Sequence, residues 1–241
     1  MRIGIARTQT TELVAKSIKE TLSDAGFESF YLRNNSNVTM ADLVIVLGGD
    51  RGVRNYFHSA LDVDTPVLGI SESESNGVLS QIELKDLHSY LNRVKKQDYV
   101  IEDVPRIGVK IDDKITHPVL NDVAVFTSKS ATLMEHVLRV NGEEVWHDSS
   151  DGVIISTPIG SSAYSMSAGG PVIFQDANVF GIISVNSLDI TRRPIIVSDN
   201  SIIEIDEISS RLHCDVVLDG IDRLKINSKL EATKLTPPAR I

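Results

Sequence analysis

Five consecutive apolar residues, Leu43 to Leu47, run straight into Gly48, Gly49 and Asp50. A strand that is apolar at every position is buried on both faces, the signature of a parallel sheet covered by helices. The rest of the first hundred residues agrees. Ile3 to Ala6 reads as a short strand. Thr10 or Thr11 then caps a helix whose Val14, Ile18, Leu22 and Ala25 keep helical spacing as far as Gly26. Phe27, Phe30 and Leu32 suggest a second strand, Asn55 to Leu61 a short helix, and Val67 to Ile70 another buried strand. Ser71 to Gly77 is a polar loop, and Leu84, Leu87, Leu91 and Val94 mark a further helix. Strands alternating with helices predict an α/β domain with a parallel sheet.

After Lys96 the period changes. Tyr99 to Lys114 reads as two short strands and Val119 to Phe126 as a third. Val137 to Trp146 holds Asn141-Gly142, the strongest short hairpin signal. Val153 to Ser156, Gly181 to Val185, Ile195 to Val197, Ile202 to Ile205 and Asp215 to Leu218 follow as strands, with no second long helical stretch. The expected division is an α/β domain at 1–97 and a β-rich domain at 98–241.

Composition narrows the possible partners. With 241 residues and 41% hydrophobic content the chain can bury a real core, and no apolar run approaches the roughly 20 residues of a membrane helix. The opening MRIGIARTQTTE is too polar for a secretory signal, and one cysteine, Cys214, excludes a disulfide framework. A cytoplasmic protein is expected. The net charge of −9 argues against nucleic acid as a partner, and nothing points to a membrane.

Three segments could carry chemistry. Gly48, Gly49 and Asp50 follow the C-terminal end of a buried strand, where open α/β sheets bind ligands. Paired glycines allow close approach, and an aspartate there can accept a hydroxyl proton or hold magnesium. The same residues also suit an ordinary strand-to-helix turn. They make neither a P-loop nor a dinucleotide fingerprint. In Leu120-Asn121-Asp122-Val123, neighbouring strand residues face opposite ways, so at least one polar side chain is forced toward an interior or interface, where ribose hydroxyls would be suitable donors. A strand starting after a turn, with both side chains in water, is the other possibility. From Asp151 to Pro171, DGVIISTPIGSSAYSMSAGGP, an apolar run ends in Ser, Gly, Ala and Thr around one tyrosine. That composition suits a surface linker, or a backbone-rich cradle with Tyr164 as a stacking ring. The six histidines lack metal spacing, and no GxSxG elbow surrounds the serines.

In this order the segments resemble the NAD kinase family. LGGD at 47–50, LGI at 68–70, LND at 120–122, the long block at 151–171, NSLDITRRPIIV at 186–197 and Asp219-Gly220 all look like its sequence blocks. The resemblance implies an α/β domain followed by a β-sandwich-like domain, with the active site in the cleft between them. The implied activity transfers the γ-phosphoryl group of ATP, or of polyphosphate, to the 2′-hydroxyl of the adenosine ribose of NAD. The product would be NADP, with magnesium or another divalent cation as cofactor. Asp50 corresponds to the proposed general base. Gly48, Gly49 and Arg51 fall on the phosphate side. Asn121 and Asp122 match the Asn-Glu pair that binds the adenosine half. Asp151, Thr157, Ser162, Ala163, Tyr164 and Ser167 fall on the block lining the NAD pocket, Asp151 often across a subunit contact. A homodimer or homotetramer is implied.

The chain departs from the family pattern mainly on the phosphate side. GGDGT is GGDRG here, so Arg51 replaces a glycine and Gly52 stands where threonine is expected. Arg51 could contact a phosphate bidentately or fill its space. Asp122 replaces glutamate, Ser71 an asparagine and Asn186 a histidine. Two alternatives stay open: a superfamily kinase acting on another nucleoside or sugar hydroxyl, and a noncatalytic protein sensing NAD or NADP.

Overall fold

Leu43–Leu47 is a strand buried along its whole length, as its uninterrupted apolar run requires. The structure is a computed structural model, and it describes residues 1–6, 12–32, 37–72 and 77–241. The chain forms two compact units: Met1–Val104 together with Pro237–Ile241, and Pro105–Thr236. The sequence expectation divided the chain near residue 98, whereas the units part after Val104 and the last five residues return to the first.

The first unit is built from β1 (Arg2–Ala6), α1 (Glu12–Asp24), β2 (Glu28–Tyr31), β3 (Leu43–Leu47), α2 (Gly49–Ser59), β4 (Val67–Ser71), β5 (Ile82–Glu83) and α3 (Leu87–Lys95). All its strand pairs are parallel, in the order β2-β1-β3-β4-β5. Ala15, Ile18 and Leu22 of α1 and Leu87, Leu91 and Val94 of α3 close one cluster over Ile3, Ile5, Ile45 and Leu47. Helix α2 packs against β3 and β4. Thr10 and Thr11, expected to cap α1, lie outside the described residues, as does most of the polar loop after Ser71. The helix expected over 55–61 begins six residues earlier, at Gly49. The terminal Ile241 donates to and accepts from the backbone of Glu102, and Arg240 donates to the Asp64 carbonyl at 3.0 Å.

The second unit stacks two six-stranded sheets. The strands are β6 (Asp103–Ile111), β7 (Lys114–Ile115), β8 (Asp122–Thr127), β9 (Met134–Val140), β10 (Glu143–Ser150), β11 (Gly152–Ser156), β12 (Val179–Val185), β13 (Ile195–Ser198), β14 (Ile203–Ser210), β15 (Cys214–Leu218), β16 (Asp222–Ile226) and β17 (Leu230–Arg240). One sheet runs β10-β9-β14-β17-β6-β7, the other β13-β12-β11-β8-β15-β16. Residues from both meet in one core, including Ile107, Leu138, Ile203 and Leu230 from the first and Val125, Ile155, Phe180 and Val216 from the second. Alternating strand faces produce this sandwich. Asn141 and Gly142 take φ of 55° and 82°, the primed turn their residue types predict, and join β9 to β10. The two short strands expected over 99–114 are one nine-residue strand, β6, and the two-residue β7. β16 and β17 were not foreseen.

Candidate active site

The strand order 2-1-3-4-5 reverses direction between β1 and β3, and ligands of open α/β sheets bind beyond the carboxyl ends of strands at that switch point. Gly48 and Gly49 stand there, directly after β3. Both take left-handed backbone angles, φ 99° and 63°, which L side chains resist. The pair turns the chain into α2, leaving the first-turn N–H groups of an eleven-residue helix at the strand's end. Such N–H groups and the helix dipole favour a negatively charged ligand.

Asp50 sits in the first turn of α2, and its carboxylate reaches across to the segment before β5. Oδ1 accepts hydrogen bonds from the N–H groups of Leu79 (3.0 Å) and Ser80 (2.8 Å) and from the Ser80 hydroxyl (2.8 Å). Oδ2 accepts one, from the Val78 N–H at 2.7 Å. The carboxylate is therefore oriented by four donors. Arg51, one position on, is exposed on the surface of this unit.

The second group of residues forms around Leu120–Asp122, at the start of β8. Asn121 and Asp122 are both buried, 8% and 6% exposed, where strand alternation required at least one to be. The Asn121 Oδ1 is shut off from solvent with no hydrogen-bond partner. A buried acceptor left without a donor costs about 1–3 kcal/mol, so an ordered water or a ligand group that donates to it is favoured there. Gly160 packs on the same turn so closely that a Cβ would lie 1.9 Å from the Asn121 carbonyl oxygen.

The Ser/Gly segment after β11 is a cradle with a short 3-10 turn at Ile159–Ser162 and a single helical turn, Tyr164–Ser167. Its serines divide by face. The hydroxyl of Ser161 donates to the Pro158 carbonyl (2.6 Å) and accepts the Ile173 N–H (2.8 Å), and Ser165 lies against Ser156. Ser162 and Ser167 are exposed and Ala163 is half-buried, so the residues matched to a ligand are those turned outward. Thr157 differs: its hydroxyl donates to the Leu120 carbonyl at 2.7 Å and accepts the Gly160 N–H at 3.0 Å. It shapes the turn under Asn121, a use that spacing along the chain does not reveal.

Tyr164 is half-exposed, its ring 5.7 Å from that of Phe126. Partial burial raises its phenol pKa, the negative charges of Asp122 and Asp151 add to the rise, and Arg223 opposes it. The tyrosine therefore stays neutral beside two carboxylates. Asp151 accepts a hydrogen bond from the Asn186 side-chain amide at 2.8 Å. The second unit thus gathers Asn121, Asp122 and Thr157, with Tyr164 in the field of Asp122 and Asp151, while the first holds Gly48, Gly49, Asp50 and Arg51.

An anion-receptive helix start at a switch point and a buried acceptor without a donor are features that nucleotide-binding proteins use. Comparison with known proteins identifies which. The family described as the ATP-NAD kinase C-terminal domain matches residues 120–233. The NAD kinase of Clostridium perfringens is 32% identical over 227 residues, spanning 91% of this chain and 81% of that protein. That of Methanopyrus kandleri is 29% identical over 199 residues, 83% of this chain and 71% of its own length. Among solved structures, an NAD kinase from Archaeoglobus fulgidus in complex with ATP superposes with a TM-score of 0.84 at 25% identity, covering 100% of this chain and 93% of the other. This chain belongs to the NAD kinase family, a family of phosphotransferase enzymes. No helix among the described residues is long and apolar enough to cross a membrane.

Proposed function

We propose that this protein transfers the γ-phosphoryl group of ATP to the 2′-hydroxyl of the adenosine ribose of NAD, giving NADP. The observation that carries the acceptor half is the buried Asn121 Oδ1, an acceptor with no donor of its own, beside the buried carboxylate of Asp122. A nucleoside supplies the missing donors as ribose hydroxyls or a base amine. Tyr164 offers a ring face at the same place, and Ser162, Ala163 and Ser167 offer an exposed polar edge.

On the phosphate side, the start of α2 and the Arg51 guanidinium suit the triphosphate. Asp50 is the general base. Its four donors fix the carboxylate in place, and Oδ2, with one donor against three for Oδ1, is the oxygen left to take the hydroxyl proton. A positioned base of this kind contributes about 10²–10⁴-fold. Magnesium arrives with ATP as part of that substrate, where it neutralises phosphate charge. The hard carboxylate oxygen of Asp50 is the donor type it takes. The protein acts as a homodimer or homotetramer in the cytoplasm. Self-association is supported by Val172, Phe174, Leu188 and Ile190, which lie 64–88% exposed in irregular segments either side of β12.

Purified protein with ATP, magnesium and NAD should form NADP. Asp50→Asn should lower that rate by about 10²–10⁴-fold with NAD affinity held within about threefold. Ser80→Ala removes one donor to Asp50 but no base, and should leave the rate within a few-fold. NAD bound without turnover on ATP or polyphosphate would make the protein a sensor. Turnover of another hydroxyl compound, with NAD inert, would make it a kinase of a different acceptor.

A further inference from the structure

Asp219 and Gly220 lie inside the stretch 120–233 that the family matches, yet the proposed reaction gives them nothing to do. Asp219 lies in the turn between β15 and β16, 4% exposed, with a left-handed φ of 53°. Its carboxylate is 97 to 99 residues from the groups it holds. Oδ2 accepts the Leu120 N–H at 2.8 Å, and Oδ1 accepts those of Asn121 at 2.7 Å and Asp122 at 3.2 Å. The N–H of Asp219 in turn donates to the Asp122 carbonyl at 2.9 Å. Thr157 takes the two carbonyls that remain, Leu120 through its hydroxyl and Asn121 through its N–H at 2.9 Å. Every backbone polar group of Leu120–Asp122 is thereby engaged, four of them by Asp219.

We propose that Asp219 is a positioning residue that aims the Asn121 and Asp122 side chains at the adenosine half of the acceptor, and so sets the affinity for NAD and not for ATP. This rests on the acceptor assignment made above. The chemistry requires a carboxylate. Three consecutive N–H groups converge on two oxygens, and hydrogen bonds to an ionised acceptor are the shorter and stronger kind. An asparagine there keeps one carbonyl oxygen and turns an NH₂ donor against a donor. A chain segment with all its backbone groups bonded has little freedom left, so the direction of its side chains is settled before any ligand arrives.

The test uses Asp219→Asn and Asp219→Gly, because both residues tolerate a left-handed backbone and strain is removed from the comparison. In steady-state assays varying NAD and ATP separately, Asp219→Gly should raise the KM for NAD at least tenfold and Asp219→Asn several-fold. The KM for ATP should stay within twofold in both. In the ligand-free protein, amide hydrogen exchange at Leu120, Asn121 and Asp122 should speed up at least tenfold in Asp219→Gly. If Asp219→Gly does not fold, Asp219→Asn carries both measurements. Equal rises in the two KM values, or an unchanged KM for NAD in a wild type that makes NADP, would overturn the proposal while leaving the proposed function standing. A wild type that makes no NADP overturns that function, and the proposal's claim on NAD with it. The anchoring of Leu120–Asp122 is then judged by exchange alone, and unprotected amides in the wild type would sink it too.

Discussion

A single side-chain atom, Asn121 Oδ1, carries much of the functional weight at the scale of residues. It is closed off from solvent and has no hydrogen-bond partner, an arrangement that lowers the stability of the free protein. Replacing it with an apolar side chain should therefore separate stability from binding. Asn121→Ala is expected to leave the melting temperature unchanged or raised, while weakening NAD binding about tenfold or more. Calorimetric melting and titration of the ligand check the two halves. A melting temperature lowered by many degrees would mean that the oxygen is satisfied in the protein alone. Asp50 is the counterpart on the first unit, a carboxylate whose orientation is imposed by Val78, Leu79 and Ser80. Both residues were legible as candidates in the linear sequence, because a polar pair inside apolar neighbours and an acid after paired glycines are local patterns. Asp219 was legible only as a family match. Its role depends on a contact across nearly a hundred residues, which no spacing rule encodes.

At the scale of elements, what repeats with a simple period was readable and what does not was missed. The apolar run of β3, the α1 spacing and the Asn141-Gly142 hairpin follow from local sterics and appear where expected. The start of α2 was missed because Gly48 and Gly49 look like loop residues, although their left-handed angles serve to launch a helix at once. β16 was missed because its middle residues, Arg223, Leu224 and Lys225, are exposed on an edge strand and show no buried face. β17 was obscured by Pro237 and Pro238, which break a strand pattern yet fall beyond Leu230–Ala232, the stretch paired with β14. The turn after β11 is the element most sensitive to change. Gly160→Ala places a methyl group 1.9 Å from the Asn121 carbonyl oxygen, a position no real Cβ occupies. The backbone must move, and NAD turnover should fall by about 10²-fold or more, the scale of loss expected when reacting groups shift by about 1 Å. Gly142→Ala, on an open hairpin tip, should leave turnover unchanged despite a strain of about 1 kcal/mol, so the pair of rates isolates the close contact.

For the whole molecule, exposed apolar surface is the strongest statement about company. Phe174 and Ile190 are 85% and 88% exposed, in the segments on either side of β12. If the proposed self-association runs through these residues, the double variant Phe174→Asp, Ile190→Asp should sediment as a smaller species than the wild type. Identical sedimentation of the two would rule these residues out as an interface. The path of the chain has a different consequence. Because residues 237–241 complete the unit begun by residues 1–104, with Ile241 bonded to Glu102, that unit closes only when two stretches separated by all of Pro105–Thr236 come together. The sandwich draws on nearly the same end of the chain, since β17 runs over Leu230–Arg240 in one of its sheets. Joining two stretches that far apart along the chain costs loop-closure entropy, so completion of the first unit is a long-range event and not a local one.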